Sequence, residues 1–179
     1  MTFETIPEYC FKRHSALVGI VVGWGQNKRK GGATRWEAVR AAMQQWNKVR
    51  DTKGKSIVSL YLTTGATDSR VIYSNYSFPK IGYTEHILRG DEILGATIHL
   101  ASTEKWSVGY SPGCYDIQTV VLHELGHMLG VAHCHEDGSE PPCFSKTCES
   151  NVMNPYVSPG HIKRTFQEYD TASYIIIYD

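Results

Sequence analysis

The sequence has no excess of charge of either sign, because 18 lysines and arginines are balanced by 18 aspartates and glutamates. A protein that binds nucleic acid or an anionic membrane normally carries a basic surplus, so we expect neither partner. No apolar stretch reaches the roughly 18–20 residues that a transmembrane helix requires. Internal repeats and low-complexity linkers are also missing, and a length of 179 residues fits one domain.

The first residues lack the apolar core of a secretory signal, and the apolar segment 16–24 is typical of a strand instead. The cysteines are odd in number: Cys10, Cys114, Cys134, Cys143 and Cys148. At least one thiol therefore stays unpaired in a monomer. Three of the cysteines lie within 134–148, which indicates a local disulfide and, with it, an oxidising compartment.

Hydrophobic periodicity predicts a single compact α+β domain of the α/β type, with three main helices and a twisted mixed sheet. Helices are predicted over 35–50, 117–129 and 168–178. Strands are predicted over 17–22, 56–63, 70–74 and 95–101. The first helix has a capping box at its start, because Glu37 follows Thr34 by three positions.

The segment from His123 to His133 carries the clearest chemical pattern. His123 and His127 are four residues apart, so on a helix their rings project from one face and can hold one metal ion. Glu124 lies beside them and can reach water bound to that ion. Gly130 can adopt a positive φ, which ends the helix and lets His133 return as a third ligand. Three neutral imidazoles leave one position for water, which is typical of a catalytic zinc.

This segment resembles the signature of the metzincin zinc peptidases, H-E-x-x-H-x-x-G-x-x-H followed by a methionine turn. The fixed positions match at His123, Glu124, His127, Gly130 and His133. Met153, within Asn-Val-Met-Asn-Pro, matches the Met-turn methionine, which forms an apolar floor beneath the zinc in that clan. The resemblance implies a zinc-dependent endopeptidase in which the histidines bind zinc and the glutamate is the general base.

Within this clan the chain is similar to the matrixins. Residues 97–106 are similar to the matrixin stretch H-F-D-x-x-E-x-W, with His99, Glu104 and Trp106 in register. Residues 153–155 are similar to the matrixin M-Y-P, and residues 170–178 to the family's last helix. The resemblance covers most of 85–178 and implies a catalytic domain over 1–179, with an upper part of about 1–133 and a lower part of about 134–179. Cysteines before the methionine are also similar to the adamalysin family, which is the alternative inside the clan.

The resemblance also implies where a substrate binds. The strand that contains Ile98 and Leu100 would be the sheet edge that pairs with an extended peptide. The main specificity pocket would lie beside the zinc, next to Pro155, Tyr156 and the loop that leads to Arg164. Protein or peptide substrates are the implied partners, secretion or another extracytoplasmic location is implied, and we expect a monomer.

Other metal sites of the matrixins are incomplete in this sequence. His86 and His99 match two ligands of the family's structural zinc, but the remaining ligands would fall near positions 71 and 73, whose side chains cannot ligate. Glu104 matches a calcium ligand, whereas Ala101 replaces the expected aspartate. We therefore expect one catalytic Zn²⁺, and a second Zn²⁺ or a Ca²⁺ stays an open alternative.

The loop over 134–152 is longer than the usual matrixin connection between the third histidine and the methionine. Its cysteines can form one disulfide, stay reduced, or bind a second metal together with His135. Cys10 could cap the zinc as a thiolate, but it lacks the family's latency motif, so we prefer an ordinary thiol or disulfide partner. A zinc-bound module without turnover and a zinc hydrolase of non-peptide substrates are the alternatives to an endopeptidase, and Glu124 argues against the first.

Overall fold

The computed structural model describes residues 12–13, 17–23, 34–76, 80–134 and 148–178. The strands are β1 (Lys12–Arg13), β2 (Leu17–Val22), β3 (Ser59–Leu62), β4 (Ser69–Ser74), β5 (Gly82–Arg89), β6 (Glu92–Ala101), β7 (Trp106–Ser107) and β8 (Tyr115–Asp116). The helices are α1 (Arg35–Lys48), α2 (Ile117–Met128) and α3 (Glu168–Tyr178), and a 3₁₀ turn spans Cys148–Ser150.

Six of these strands form one mixed sheet. β3, β2, β4 and β6 are neighbours in that order and run parallel. The short β1 pairs in parallel with the start of β6, and β5 pairs with β6 in the antiparallel sense. β7 and β8 form a separate parallel pair. The prediction of an α+β domain with three helices and a mixed sheet is therefore confirmed.

Helix α1 begins at the predicted capping box. The Thr34 side chain accepts a hydrogen bond from the Glu37 backbone, and the Glu37 side chain accepts one from the Thr34 backbone. The helix ends at Lys48, two residues before the predicted end. Its buried face carries Trp46, whose indole N–H donates to the Leu122 carbonyl at 2.9 Å and so joins α1 to α2. None of the described helices is both long and apolar enough to cross a membrane.

Helix α2 lies at the centre of the molecule, where it packs against α1 and against strands β5 and β6. Every one of its residues is buried, including His123, Glu124 and His127. A helix that is covered on all sides lies inside a core rather than on its surface. The polar side chains of the motif are therefore held inside the protein, where any one without a partner is costly.

No strand is predicted from the sequence at β5, and the burial of this strand explains why. Only the first of its eight residues is buried, and the other seven are half-buried or exposed. A strand of this kind lacks the alternation of apolar and polar residues that identifies a half-buried strand. Among the predicted strands, 56–63 is shorter in the structure, whereas 95–101 begins earlier, at Glu92.

Candidate metal centre

Three histidine side chains converge in the interior at the end of α2. The Nε2 atoms of His123 and His127 are 3.0 Å apart, and those of His127 and His133 are also 3.0 Å apart. The third pair, His123 and His133, is separated by 3.2 Å. All three residues are buried. Among the described residues, no other group of three His, Cys, Asp or Glu side chains could share one metal ion.

The backbone that follows α2 produces this convergence. Gly130 has a φ of 87°, the left-handed conformation that the sequence predicted. Its N–H donates to the His127 carbonyl at 2.8 Å, and the Val131 N–H donates to the Gly126 carbonyl at 2.9 Å. These two bonds form a Schellman cap, which turns the chain back on itself at the helix end. His133 is thereby brought against the helical histidines.

In the two histidines on α2, a hydrogen bond at Nδ1 fixes which ring nitrogen faces the cluster. Nδ1 of His123 donates to the Val152 carbonyl at 2.7 Å, and Nδ1 of His127 donates to the Val131 carbonyl at 2.8 Å. A carbonyl oxygen can only accept, so Nδ1 carries the proton in both rings and a neutral ring presents a lone pair at Nε2. Lone pairs that face one another at 3.0 Å repel unless a cation lies between them.

Burial keeps these imidazoles neutral. It lowers the pKa of His127 to about 4, despite the opposing hydrogen bond to Val131. It also lowers the pKa of His123 well below its usual range, and any positive charge on His127 or His133 acts in the same direction. Neutral imidazole is the form that binds metal, so protonation does not compete with a cation near neutral pH.

The spacing of the three nitrogens fits a zinc ion. Zinc binds imidazole nitrogen at roughly 2.0–2.1 Å in tetrahedral geometry, which places ligand atoms about 3.3–3.4 Å apart. The observed separations of 3.0–3.2 Å agree with this value to within about 0.3 Å. Three imidazoles, with no fourth ligand side chain among the described residues, leave one coordination position for water or substrate.

Glu124 presents two carboxylate oxygens that differ in their surroundings. Oε2 accepts a hydrogen bond from the Thr84 hydroxyl at 2.7 Å. Oε1 is buried and has no hydrogen-bond partner among the described residues. Burial raises the pKa of Glu124 to about 8, and the Thr84 hydrogen bond and the charge of Lys80 oppose this rise. In its ionised form this carboxyl group can accept a proton from a neighbouring group, and the raised pKa makes that form a stronger base.

Met153 packs against α2 on the side of the histidine cluster. It is fully buried, and a Cβ added to Gly126, which lies between the two helical histidines, would be 2.9 Å from the Met153 Cε. Backbone N–H groups of Val152 and Met153 donate to the Asp170 carboxylate at 3.0 and 2.9 Å. The Met153 carbonyl accepts from the Cys134 N–H at 2.9 Å. Helix α3 and the residue after the third histidine thus fix this turn.

The prediction that Ile98 and Leu100 lie on the edge strand of the sheet is wrong. Both side chains are fully buried, and their strand β6 pairs with β4 on one side and with β5 on the other. The edge next to α2 is β5, which pairs with no further strand among the described residues. Alternation of apolar residues reports which faces of a strand are covered, but it does not report whether the strand has one neighbour or two.

Pro155 and Tyr156, the predicted wall of the specificity pocket, differ in exposure. Pro155 is half-buried, whereas the Tyr156 side chain is 58% exposed. The Tyr156 backbone is held by a bond from its N–H to Asn154 Oδ1 at 2.8 Å and by one from Lys163 Nζ to its carbonyl at 3.1 Å. Val157, two residues after the proline, is buried.

His86 and His99 have separate partners in the structure. His86 Nε2 donates to the His127 carbonyl at 2.8 Å. Nδ1 of His99 lies 2.7 Å from the Ser74 hydroxyl, and its Nε2 lies 3.3 Å from the Glu85 carboxylate. Position 71 is a fully buried valine, so the described side chains around these histidines do not fit the ligand set of a second zinc.

Cys134 takes part in a disulfide, and it is almost fully buried. This agrees with the first of the three states predicted for the loop cysteines, and it excludes the reduced and the metal-bound states for Cys134 itself. Its partner is not among the described side chains. Cys114 is a free thiol. The predictions for the thiol of Cys10 and for the loop groups His135, Cys143 and the thiol of Cys148 lie outside the described residues and side chains.

Two residues that support the site, Asp116 and Thr84, are not among the residues predicted from the sequence. Asp116 is the N-cap of α2 and accepts from the Thr119 N–H at 2.9 Å. An aspartate directly before an apolar periodic run is a helix-start signal, so this cap was detectable. Thr84 is 40 positions from Glu124 along the chain, and nothing local in the sequence pairs the two residues.

The comparisons with known proteins agree with this geometry. The model of the matrixin family matches residues 25–178. Human matrix metalloproteinase-20 is 30% identical over 105 residues, which are 54% of this chain and 20% of that protein. The chain thus matches only about a fifth of the length of this curated relative. The cysteine pattern left the matrixins and the adamalysins open as alternatives within the metzincins, and the family match decides for the first. The chain belongs to the matrixins, a family of zinc metallopeptidases.

Proposed function

We propose that this protein is a zinc-dependent endopeptidase that hydrolyses peptide bonds in extended polypeptide substrates. The proposal is carried by one observation: three imidazole Nε2 atoms lie within 3.2 Å of one another, and the fully buried Glu124 directly follows the first of these histidines on α2. A purely structural zinc site would use a fourth protein ligand and would not need this carboxylate. Membership of the matrixin family supports the same activity.

His123, His127 and His133 would hold the zinc through their Nε2 atoms. When bound, zinc supplies a Lewis acid that lowers the pKa of water to about 7 and polarises a carbonyl group. The chain contributes the orientation of the rings, since two of the Nδ1 atoms are fixed by backbone carbonyls. It also contributes a buried environment that lowers the pKa of His123 and His127 and so keeps these two imidazoles neutral.

Glu124 would act as the general base. Its carboxylate takes a proton from the attacking water while the water oxygen forms a bond to the scissile carbonyl carbon. The same carboxyl group then gives that proton to the nitrogen of the leaving amine as the carbon–nitrogen bond breaks. Burial favours the protonated form of Glu124, so the group can hold the proton between the two steps.

The substrate would pair with the outer side of β5, the edge strand that lies against α2. Main-chain hydrogen bonds to an edge strand accept many sequences, so selectivity must come from side-chain pockets. Pro155 and the segment that follows it would form the wall of the main pocket. Met153 would be the Met-turn residue, because its fully buried side chain packs on the helix that bears the first two histidines.

We further propose that the chain forms one catalytic domain, acts as a monomer and works in a secreted or otherwise extracytoplasmic location. The disulfide at Cys134 supports this location, because such bonds persist in oxidising compartments. Matrixins are generally extracellular, which favours the same assignment.

The test combines metal analysis with proteolysis. The purified chain is loaded with zinc, and cleavage of casein, gelatin and a diverse library of quenched fluorescent peptides is measured with and without a zinc chelator. We expect one zinc per chain and activity that the chelator abolishes. Glu124→Ala should lower kcat/KM by about 100-fold or more and should still bind one zinc. Glu92→Ala is the control, because that side chain is 46% exposed and lies in an ion pair away from the cluster.

Two outcomes would contradict the proposal. Full activity of Glu124→Ala would remove its assigned role, and full activity of the metal-free chain would remove that of zinc. A zinc-loaded wild type that cleaves none of the substrates would instead support a zinc-bound module without turnover.

A further inference from the structure

We propose that Thr84 is the positioning residue of Glu124, and that it holds one carboxylate oxygen so that the other receives the proton of the attacking water. The proposal is based on the contact between a threonine hydroxyl on the edge strand β5 and a fully buried glutamate on α2. The inference rests on the proposed function, because it assigns the two oxygens of the proposed general base to different tasks.

The hydroxyl of Thr84 contacts Glu124 at two points. Its Oγ1 lies 2.7 Å from Oε2 and 3.0 Å from the backbone carbonyl oxygen of the same residue. A hydroxyl has one proton to donate, so only one of these two oxygens receives it at a time. The carboxylate oxygen is the nearer one, and in the ionised form of Glu124 it carries the charge, so its hydrogen bond is then the stronger one. Oε2 is therefore the tethered oxygen.

The surroundings of the second oxygen leave it available. Oε1 has no hydrogen-bond partner among the described residues although it is buried. A Cβ added to Gly82 would lie 3.0 Å from Oε1 and 3.1 Å from Cγ1 of Val120. Oε1 thus packs against Gly82 at the start of β5, and no donor among the described residues occupies its lone pairs. Of the two oxygens, Oε1 is the one able to receive the proton from water.

Thr84 is itself held independently of α2. It is paired with Ile98 in the antiparallel β5–β6 ladder, and Ile98 is fully buried. The β-branched side chain of threonine has restricted rotation about its first torsion, so a fixed backbone also fixes the hydroxyl. Glutamate has three side-chain torsions and loses more freedom on ordering. The sheet therefore supplies the rigid partner and the helix supplies the flexible carboxylate.

The test compares three substitutions of Thr84 in the zinc-loaded protein. Thr84→Val keeps the shape and removes the hydroxyl, and Thr84→Ala removes it without adding a methyl group. We expect both to lower kcat for peptide hydrolysis about tenfold or more, with KM unchanged, because a hydrogen bond to a charged group is lost. Thr84→Ser retains the donor and should stay within about threefold of the wild type. All three should bind one zinc, since the three histidines of the cluster are unchanged in each variant.

The matched control is Thr97→Val, which removes the hydroxyl of a half-buried threonine on the neighbouring strand. Thr97 is paired with Glu85, the residue next to Thr84, so its side chain lies on the opposite face of the sheet. We expect wild-type kcat and KM for this variant. A loss equal to that of Thr84→Val would mean that any such change in the sheet disturbs the site.

A second readout does not depend on turnover. Acetohydroxamate chelates zinc and shares its proton with a neighbouring carboxylate, so its affinity reports how well Glu124 is placed. Calorimetric titration should give a Kd about tenfold weaker for Thr84→Val and Thr84→Ala, and an unchanged Kd for Thr97→Val. Wild-type kcat together with wild-type affinity in Thr84→Val would overturn the inference, and so would a Thr84→Ser variant as impaired as Thr84→Val. If the wild type binds zinc but cleaves no peptide, the proposed function fails and the affinity series alone decides the role of Thr84.

Discussion

Arg164 donates two hydrogen bonds to Asp116, from Nε at 2.9 Å to one carboxylate oxygen and from Nη2 at 2.6 Å to the other. Asp116 is also the N-cap of α2, so the carboxylate that starts the helix with His123 binds the segment that follows Pro155. The side chain of Asp116 is 2% exposed and that of Arg164 is 30% exposed. This bidentate pairing thus connects the segment that follows Pro155 to the helix that carries the first two histidines.

Replacing Asp116 by alanine should destabilise the fold by about 2–4 kcal/mol. The substitution removes the helix cap and leaves the Arg164 guanidinium without its buried partner. Urea-induced unfolding of the oxidised protein measures the effect. Asp91→Ala is the control, because Asp91 is exposed in the turn between β5 and β6, and it should change the free energy of unfolding by less than about 0.5 kcal/mol.

The contribution of Asp116 should depend on pH in a defined direction. Burial by itself would raise the pKa of Asp116, but hydrogen bonds from Arg164, Thr119 and Gly109 outweigh it and lower this pKa below its usual value. The unfolded chain therefore binds the proton more readily, and the stabilisation is present above the unfolded pKa of about 4. It is lost as the pH falls through the lower pKa of the folded state.

The corresponding measurement is the difference in unfolding free energy between the wild type and Asp116→Asn as a function of pH. We expect a constant difference between about pH 5 and 7 and a smaller one below about pH 4. A difference that grows on acidification would contradict the lowered pKa.

Gly126→Ala should destabilise the protein, although a helix interior normally favours alanine. An exposed helical Gly→Ala change stabilises by about 1 kcal/mol. Here the added Cβ would collide with Sδ of Met153 and lie 3.0 Å from Cζ2 of Trp46, and both residues are fully buried. Overpacking typically costs about 1–3 kcal/mol, so we expect a net loss of about 1–2 kcal/mol.

A double-mutant cycle identifies the cause of that loss. If the collision with Met153 is responsible, Gly126→Ala should cost less in a Met153→Ala background, with a coupling of at least about 0.5 kcal/mol. Additive effects, measured by urea unfolding, would show that Met153 does not pack on this turn of α2 as described.

Binding of a substrate peptide should change the amide signals of β5 and leave the middle of β6 largely unaffected. The outer side of β5 is free of other described strands, whereas β6 is paired on both sides. The zinc-loaded Glu124→Ala variant can be titrated with an uncleaved peptide while backbone amide shifts are followed by NMR. Larger shifts at Ile98 and Leu100 than over 82–89 would restore the first assignment of the edge.

Local signals in the sequence were sufficient for the parts of the site that lie close together along the chain. The capping box at Thr34, the positive φ of Gly130 and the limits of α3 all appear in the structure as predicted. Each depends on the conformational preferences of a few adjacent residues. The spacing of His123, His127 and His133 likewise follows from one helical turn and one helix cap, and the structure brings the three rings together.

The position of each strand in the sheet depended on contacts that no local pattern contains. β6 has the alternating apolar residues of a well-covered strand, and only its pairing with both β4 and β5 places it in the interior of the sheet. β5 has mostly exposed side chains and gave no periodic signal, yet it forms the edge beside α2. Burial of a face and lateral pairing are independent properties of a strand.

The sequence by itself determined the metal-binding motif, the helices that carry it and the family resemblance, because these depend on residue types at short, fixed spacings. The tertiary structure alone decided which strand lies at the edge, which hydroxyl reaches Glu124 and which arginine binds Asp116. These partners are 40 and 48 positions apart along the chain. Packing of the sheet on α2 brings them within hydrogen-bonding distance, and a contact of that range leaves no periodicity or motif in the sequence.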